Sequence, residues 1–259
     1  MILDLLLLFL LGLSFGSFVN AWVWRLKTGR SISTGRSMCP SCKHQLAWYD
    51  NIPVISFVFL QAKCRYCKKP ISWQYPLVEL ATTLLFVGIY LHFSPISIQT
   101  WTVLALWCLA SVFLVAAFVY DYKWMLLPDR FMLPVIAIGI VLVTMSGVQN
   151  GWQSVVPQLI AATVFTSIYL AMWFFSGGRF LGDGDIRLAL AMGLLLAVPQ
   201  LLVAVFVAYV VGAGVGVYLV AQKGRKRTDQ LAFGPFLIIG LYFGLFWGEQ
   251  IAHWYLRYF

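Results

Sequence analysis

The stretch ILDLLLLFLLGLSFGSFVNAWVW, residues 2–24, decides the fold class, because it contains a single charged residue, Asp4, and is long enough to cross a bilayer. The whole chain has the same character: 61% of its residues are hydrophobic, 10% are charged, and the mean hydropathy is +0.86. Soluble domains contain about 25% charged residues. No basic segment precedes the run and no small-residue cleavage site follows it, so we expect a retained helix and not a removed signal peptide.

Further apolar runs follow a more polar segment at 25–75. They lie near 76–91, 99–120, 130–145, 155–175, 186–196, 199–221 and 231–254. At roughly 20 residues per span, the chain accommodates about eight transmembrane helices. The sequence therefore predicts an all-α polytopic membrane protein. We expect a first transmembrane helix at 1–24, a small cytoplasmic insertion at 25–75 and a seven-helix transmembrane domain at 76–259.

The basic residues indicate the orientation of these helices. All Lys and Arg residues except Arg257 lie in the segment 25–75 or in every second loop after it. The loops between them, SPISIQ, SGVQNGWQSV and AVPQ, contain none. Because basic loops remain in the cytoplasm, both termini are predicted to face outward. This topology accounts for the net charge of +9, so the charge does not indicate a nucleic-acid partner.

Four cysteines form two C-x-x-C pairs in the polar segment, CPSC and CRYC, and they are Cys39, Cys42, Cys64 and Cys67. This pattern is typical of tetrahedral zinc coordination, and four protein ligands leave no open position, so the site would be structural. Disulfides do not persist in the cytoplasm, and metal-free or redox-active thiols remain the alternative. A segment this short builds little core, and a metal would supply folding free energy.

Two acidic residues stand at the ends of apolar runs, in a chain with only 9 acidic residues. Asp121 follows ASVFLVAAFVY, and Asp185 lies in LGDGDIRLAL. Ionisable groups at membrane depth are costly and usually functional. An acid at a helix C-terminus also opposes the helix dipole, so helix stability does not explain Asp121. Two carboxylates that meet from separate helices and share a proton can perform aspartic-protease chemistry.

Other residues near these acids have simpler interpretations. Gly182 and Gly184 allow positive φ and a close approach to an extended substrate. Asp183 is alternatively an N-cap of the following helix, and so is Asp129, which follows Pro128. A proton-relay transporter remains a competing class, although its expected inverted repeats and broken helices are not visible. A non-catalytic membrane scaffold that presents a zinc domain is the third class.

Several longer segments resemble one family, and the resemblance covers nearly the whole chain. The segments are GSFVNAWVWRL (16–26), GRSMCPSCKHQLAWYDNIPVISF (35–57), KCRYCKKPISWQYPLVELAT (63–82), DYKWMLLPD (121–129), GDGDIRL (182–188) and FGPFL (233–237). They are similar to the bacterial type IV prepilin peptidases, which are bifunctional leader peptidases and N-methyltransferases. The Gly-x-Gly-Asp element is similar to that of other intramembrane aspartyl proteases.

The resemblance implies that Asp121 and Asp185 are the catalytic aspartates of a transmembrane aspartyl protease domain. Supporting residues are expected at Gly182, Gly184, Asp183, Asp129, Gly234 and Pro235. Such an enzyme cleaves a basic leader from prepilins or pseudopilins after a Gly, at the cytoplasmic face of the bacterial inner membrane. It then methylates the new N-terminal residue with S-adenosylmethionine. Arg187 stands where the family often has Lys, and the charge is retained.

The binding site for the methyl donor has no familiar motif, because no Gly-rich Rossmann fingerprint follows a strand. The candidate region is 35–82, which includes the four-cysteine site, Trp48 and Tyr49. Within it we consider Glu79, Asp50 and Asn51 as binding residues. Glu79 is alternatively a hydrogen-bond partner between helices.

Overall fold

The computed structural model describes residues 1–179, 181–223 and 231–258, and the regular structure within them is helical. The long helices are α1 Ile2–Lys27, α2 Gln74–Phe93, α3 Ile98–Trp124, α4 Asp129–Asn150, α5 Val156–Ser176, α6 Asp183–Leu195, α7 Val198–Lys223 and α8 Gly234–Tyr258. Short helical turns at Trp48–Asn51 and Ile55–Phe59 lie in the polar segment. No β-strand is formed within the described ranges, so the all-α prediction is confirmed.

In the part of the chain that the structure describes, 7 helices are long and apolar enough to cross a membrane. The remaining long helix, α6, has 13 residues and is about 20 Å long, shorter than the roughly 30 Å hydrocarbon core. The expected break near Pro199 is present, because α6 ends at Leu195 and α7 begins at Val198. The last predicted basic loop falls mostly at 224–230, outside the described residues.

The chain forms two compact units, Met1–Ala116 and Ala117–Phe259, which we call the N-terminal and C-terminal units. In the N-terminal unit, α1 and α2 pack closely because α1 carries glycines at Gly12 and Gly16. A β-carbon added to Gly12 would stand 2.5 Å from the Cα of Thr83, and one added to Gly16 would stand 2.5 Å from the Cα of Glu79. Small residues four apart allow helix backbones to approach in this way.

Hydrogen bonds connect α1 and α2 at both ends of the helix pair. At one end, the Tyr90 hydroxyl donates to Asp4 Oδ2 at 3.0 Å. At the other end, Gln74 Nε2 donates to Asn20 Oδ1 at 3.0 Å, and Asn20 Nδ2 donates to the carbonyl of Tyr75 at 3.1 Å. These bonds hold the polar segment, which joins the two helices, at one end of the pair.

In the C-terminal unit, α6 is surrounded by its neighbours and most of its side chains are buried. Gly193 of α6 lies against the backbone of Ala162 in α5, and a β-carbon added to Gly139 in α4 would stand 2.8 Å from Leu194 Cβ. Gln158 Nε2 of α5 donates to the carbonyl of Leu194 at 2.9 Å. The short helix is therefore a core element, and its first turn carries the Gly-Asp-Gly-Asp sequence.

Candidate functional site

Asp121 lies one turn before the end of α3 and is 5% exposed. The helix ends where Met125 takes a positive φ of 53° and its amide donates to the Asp121 carbonyl at 2.8 Å. The chain then continues through Leu127 and Pro128 into α4. This position agrees with the sequence expectation of an acid near the helix C-terminus.

Gly234, the first residue of α8, lies against the carboxylate of Asp121. A β-carbon added to Gly234 would stand 2.6 Å from Asp121 Oδ2, a separation that real contacts essentially never show. The Gly234 backbone amide also serves as a hydrogen-bond donor to this carboxylate. Pro235 follows in the first turn of α8, where a missing N–H costs nothing. The FGPFL sequence thus places a residue without a side chain, Gly234, next to the Asp121 carboxylate.

Leu127 belongs to the DYKWMLLPD segment and contacts a glycine in each of the GDGDIRL and FGPFL segments. Sequence reasoning did not identify this residue. A β-carbon on Gly184 would stand 2.5 Å from Leu127 Cβ, and one on Gly234 would stand 3.1 Å from Leu127 Cδ1. Leu127 therefore packs against both glycines. A leucine in a loop carries no signal of its own, and only its place between Asp121 and Asp129 drew attention to the segment.

Asp185 stands in the first turn of α6, and its carboxylate caps that helix. The Gly182 amide donates to Asp185 Oδ2 at 3.1 Å, and the Asp185 amide donates to the Gly182 carbonyl at 3.2 Å. The expectation of positive φ at the two glycines is wrong, because Gly182 has φ of −74° and Gly184 is helical. Gly184 is instead required by the close approach of Leu127.

The carboxylates of Asp121 and Asp185 come from separate helices and lie close enough for their charges to interact. Asp185 also interacts electrostatically with Tyr169 of α5, which is 1% exposed. The Tyr169 hydroxyl is 3.2 Å from the hydroxyl of Tyr209, whose ring packs 5.0 Å from that of Phe233. Two acids in such surroundings can share one proton. Sequence reasoning missed this tyrosine pair, because each member lies inside an apolar run.

Arg187 forms ion pairs with two further acidic residues near Asp185, Asp129 and Asp183. Its Nη1 atom is 2.8 Å from Asp129 Oδ1 and 3.1 Å from Asp183 Oδ2. The side chains of Asp129 and Asp183 are 54% and 71% exposed. Their interpretation as N-caps is wrong, because the N-cap residues of α4 and α6 are Pro128 and Gly182. Arg187 therefore ties the first turns of these two helices together.

The four cysteines of the N-terminal unit form one cluster, in which all four Sγ atoms lie within 4.8 Å of one another. The Sγ atoms of Cys39 and Cys67 are 3.9 Å apart. Zinc–sulfur bonds of about 2.3 Å in a tetrahedron place sulfurs roughly 3.8 Å apart. The donor set and its spacing therefore fit a tetrahedral zinc ion with small adjustments.

Both halves of the cluster have the same local fold. The Lys43 amide donates to the Cys39 carbonyl at 2.9 Å, and the Lys68 amide donates to the Cys64 carbonyl at 3.0 Å. Lys43 and Lys68 both have positive φ, 61° and 58°. Each C-x-x-C-K sequence thus closes a tight turn that directs two sulfurs to one point.

The first of these turns also favours a thiolate. Burial raises the pKa of the Cys39 thiol, but hydrogen bonds from the backbone of Cys42 and Ser41 and from neighbouring thiols outweigh burial and lower the pKa to about 7. Because metals bind cysteine as the thiolate, this turn is prepared for a cation.

The three candidate residues for the methyl donor have different surroundings. Asp50 is paired with Arg65 Nε at 2.8 Å, and its side chain is 1% exposed. Glu79 is buried and accepts the Val54 amide at 2.7 Å, and its carboxylate also meets the Ser17 hydroxyl of α1. Asn51 remains exposed. Asp50 and Glu79 therefore hold the polar segment in place.

The fold and the sites define a class, the polytopic helical membrane proteins with an inserted four-cysteine cluster and paired acids at helix ends. Residues 10–93 match the bacterial peptidase A24 N-terminal domain, and residues 108–217 match the type IV leader peptidase family. The chain belongs to this family.

Several relatives carry the name prepilin leader peptidase/N-methyltransferase. The one from Aeromonas hydrophila is 31% identical over 98% of this chain and 94% of its own length. The one from Xanthomonas campestris pv. campestris is 32% identical over 96% and 93%. The one from Burkholderia pseudomallei strain K96243 is 33% identical over 92% and 84%. No solved structure matches the chain.

Proposed function

We propose that this protein cleaves the basic leader peptide from type IV prepilins or pseudopilins and then methylates the new N-terminal residue. The observation that carries the proposal is the electrostatic interaction between the carboxylates of Asp121 and Asp185, which come from separate helices in a chain of the leader peptidase family. Relatives over nearly the full length are named for both activities. The enzyme is thus an aspartic endopeptidase with N-methyltransferase activity.

In the proposed mechanism the two carboxylates share one proton. The ionised member takes a proton from the attacking water, while the neutral member protonates the scissile carbonyl oxygen, which gives a gem-diol intermediate. The first carboxyl then gives its proton to the leaving nitrogen as the C–N bond breaks, and the second carboxylate takes a proton back from the gem-diol, so the pair again holds one proton. The Gly182 amide orients Asp185, and the Gly234 amide orients Asp121. Neither a metal nor a covalent nucleophile is needed for this reaction.

The remaining supporting residues keep this pair aligned. Gly184 and Gly234 admit Leu127, which packs between the helix that carries Asp185 and the helix that begins beside Asp121. The expected supporting residues Asp129 and Asp183 act through Arg187, which joins α4 to α6. Pro235 starts α8 directly after Gly234.

The proposed location is the bacterial inner membrane, with the active site facing the cytoplasm. The support is the distribution of basic residues, since nine of them lie in the polar segment with Asp50 as the single acid. In this arrangement the chain has three parts. They are the first transmembrane helix at 1–24, the cytoplasmic four-cysteine domain at 25–75 and the transmembrane protease domain at 76–259. A cationic leader would be attracted to carboxylates at the membrane edge.

Two cofactors belong to the proposal. Cys39, Cys42, Cys64 and Cys67 would hold a structural zinc ion, which stabilises a segment with little core of its own. S-adenosylmethionine, when bound, supplies the methyl group for the second reaction. The partners are the prepilin substrate and the lipid bilayer, and no nucleic acid is involved.

The test of the peptidase uses the purified full chain in detergent and a prepilin-like peptide, with leader loss followed by mass spectrometry. Asp121→Asn and Asp185→Asn should each lower the cleavage rate by at least about a hundredfold, the usual range for general acid–base groups. Full cleavage by both variants would refute the aspartic mechanism. Adding S-adenosylmethionine should then add one methyl mass to the trimmed product of the unaltered protein.

A further inference from the structure

A cavity of about 340 Å³ lies in the N-terminal unit, between the second half of α1 and the polar segment. This volume lies within the range of small-molecule sites. Its walls combine aromatic, hydroxyl, amide and guanidinium groups, contributed by Ser17, Phe18, Trp22, Arg25, Ser37 and Asn51. The mechanism of cleavage uses none of these residues.

Arg25 is the one charged residue among the described residues that line this cavity. Its Nη1 and Nη2 atoms each donate at 2.7 Å, to the carbonyls of Ile32 and Gly35. A guanidinium has five N–H donors in a planar fork, so donors remain for a ligand after these two bonds. The two carbonyls hold the group in a fixed orientation, which suits the recognition of a carboxylate.

Two aromatic rings in the cavity wall suit a different part of a ligand, a flat ring or a cation. The rings of Phe18 and Trp22 are 5.7 Å apart and tilted by 38°. Aromatic rings that line a cavity can pack against a flat heterocycle and can attract a sulfonium or ammonium cation. The two rings and Arg25 line the same cavity, so one ligand can meet both.

A buried carboxyl group lies next to the cavity wall. Glu79 is 6% exposed, and its carboxylate meets the hydroxyl of Ser17, which lines the cavity. A cationic centre in the cavity would be stabilised by this carboxylate. The ligand that fits is therefore a zwitterion with a carboxylate, a cationic centre and an aromatic ring.

We propose that this cavity binds S-adenosylmethionine, with Arg25 holding its carboxylate and Phe18 and Trp22 facing its base or its sulfonium. The inference rests on the proposed methyltransferase activity and names the site for it. Of the three residues that the sequence suggested for binding the methyl donor, Asn51 lines the cavity, and Glu79 has an indirect role behind Ser17. The inference excludes Asp50, whose side chain is occupied by Arg65.

The experiment measures binding of S-adenosylhomocysteine to the full-length protein in detergent by isothermal titration calorimetry. Arg25→Gln should weaken binding by about ten- to a hundredfold, because a charge-assisted hydrogen bond is lost. Ala21→Leu fills the cavity and leaves both Arg25 bonds intact, so it should weaken binding as well. Arg30→Gln is the matched control, since Arg30 stacks on Trp24 outside the cavity and should leave binding unchanged.

Leader cleavage is measured on the same samples, and we expect it to persist in all three variants, which shows that they remain folded. Unchanged binding in both Arg25→Gln and Ala21→Leu would place the methyl donor elsewhere and leave the proposed function intact. If the unaltered protein binds no S-adenosylhomocysteine and methylates no product, the methyltransferase half of the function and this site are both wrong.

Discussion

The backbone of Gly234 lies so close to the carboxylate of Asp121 that no side chain fits between them. A β-carbon at position 234 would stand 2.6 Å from Asp121 Oδ2 and 3.1 Å from Leu127 Cδ1. The first residue of α8 therefore sets the position of an acid on α3. This contact links two sequence motifs that lie more than a hundred residues apart in the chain.

We expect Gly234→Ala to lower the rate of leader cleavage strongly. The added methyl group must displace the Asp121 carboxylate, and a misplacement of about 1 Å costs on the order of a hundredfold in rate. Gly214→Ala in α7 is the matched control, because a β-carbon there meets nothing within 4 Å. Equal cleavage rates for the two variants, measured by mass spectrometry, would show that Asp121 does not depend on this contact.

The two acids of the Gly-Asp-Gly-Asp turn should behave differently. Asp183→Asn should keep most of the cleavage activity, because the Asp183 side chain is 71% exposed and contacts Arg187. Asp185→Asn should lose at least about a hundredfold, since a neutral amide cannot act as the base. Steady-state cleavage rates of the two variants provide the comparison, and a larger loss for Asp183→Asn would reverse the assignment.

Removal of Arg187 should have a modest effect that lysine partly restores. Arg187→Gln breaks the contacts with Asp129 and Asp183 and should lower cleavage severalfold, because exposed ion pairs contribute about 0.2–1 kcal/mol each. Arg187→Lys keeps the charge and should recover part of the rate. Thermal unfolding of both variants checks that the loss arises from alignment of the acids, and a large drop in melting temperature would indicate a general folding defect instead.

The purified protein should contain about one zinc ion per chain. Cys39→Ser should lower the zinc content and the melting temperature, because the cluster loses one of its four thiolates. Cys108→Ser is the control, since Cys108 is buried in α3 outside the cluster and should keep the zinc. Metal content is measured by atomic absorption, and full zinc in Cys39→Ser would remove Cys39 from the ligand set.

Zinc binding should also weaken as the pH falls. Zinc coordinates thiolates, so protons compete with the metal for the four sulfurs, and acidification shifts the balance toward protonated thiols. Zinc release, followed with a colorimetric chelator during a downward pH titration, should therefore increase toward acidic pH. Retention of zinc that is independent of pH would argue against thiolate ligands.

Much of this protein follows from short-range patterns in the chain. Runs of apolar residues predicted the helices to within a few residues at most ends, because a bilayer requires about 20 such residues per span. The spacing of the cysteines predicted their cluster, because two C-x-x-C turns can present four sulfurs to one point. The location of Asp121 near a helix end and of Asp185 at a helix start also followed from sequence.

Contacts between helices were decided by the tertiary structure alone. No local pattern shows that Gly234 lies against Asp121, that Leu127 packs on Gly184, or that Arg187 pairs with Asp129. The glycines of the Gly-Asp-Gly-Asp turn were expected to provide positive φ, yet Gly184 is helical and provides space for a neighbour. Periodicity and spacing encode what happens along one segment, whereas the fit of one helix surface to another depends on residues distant in sequence.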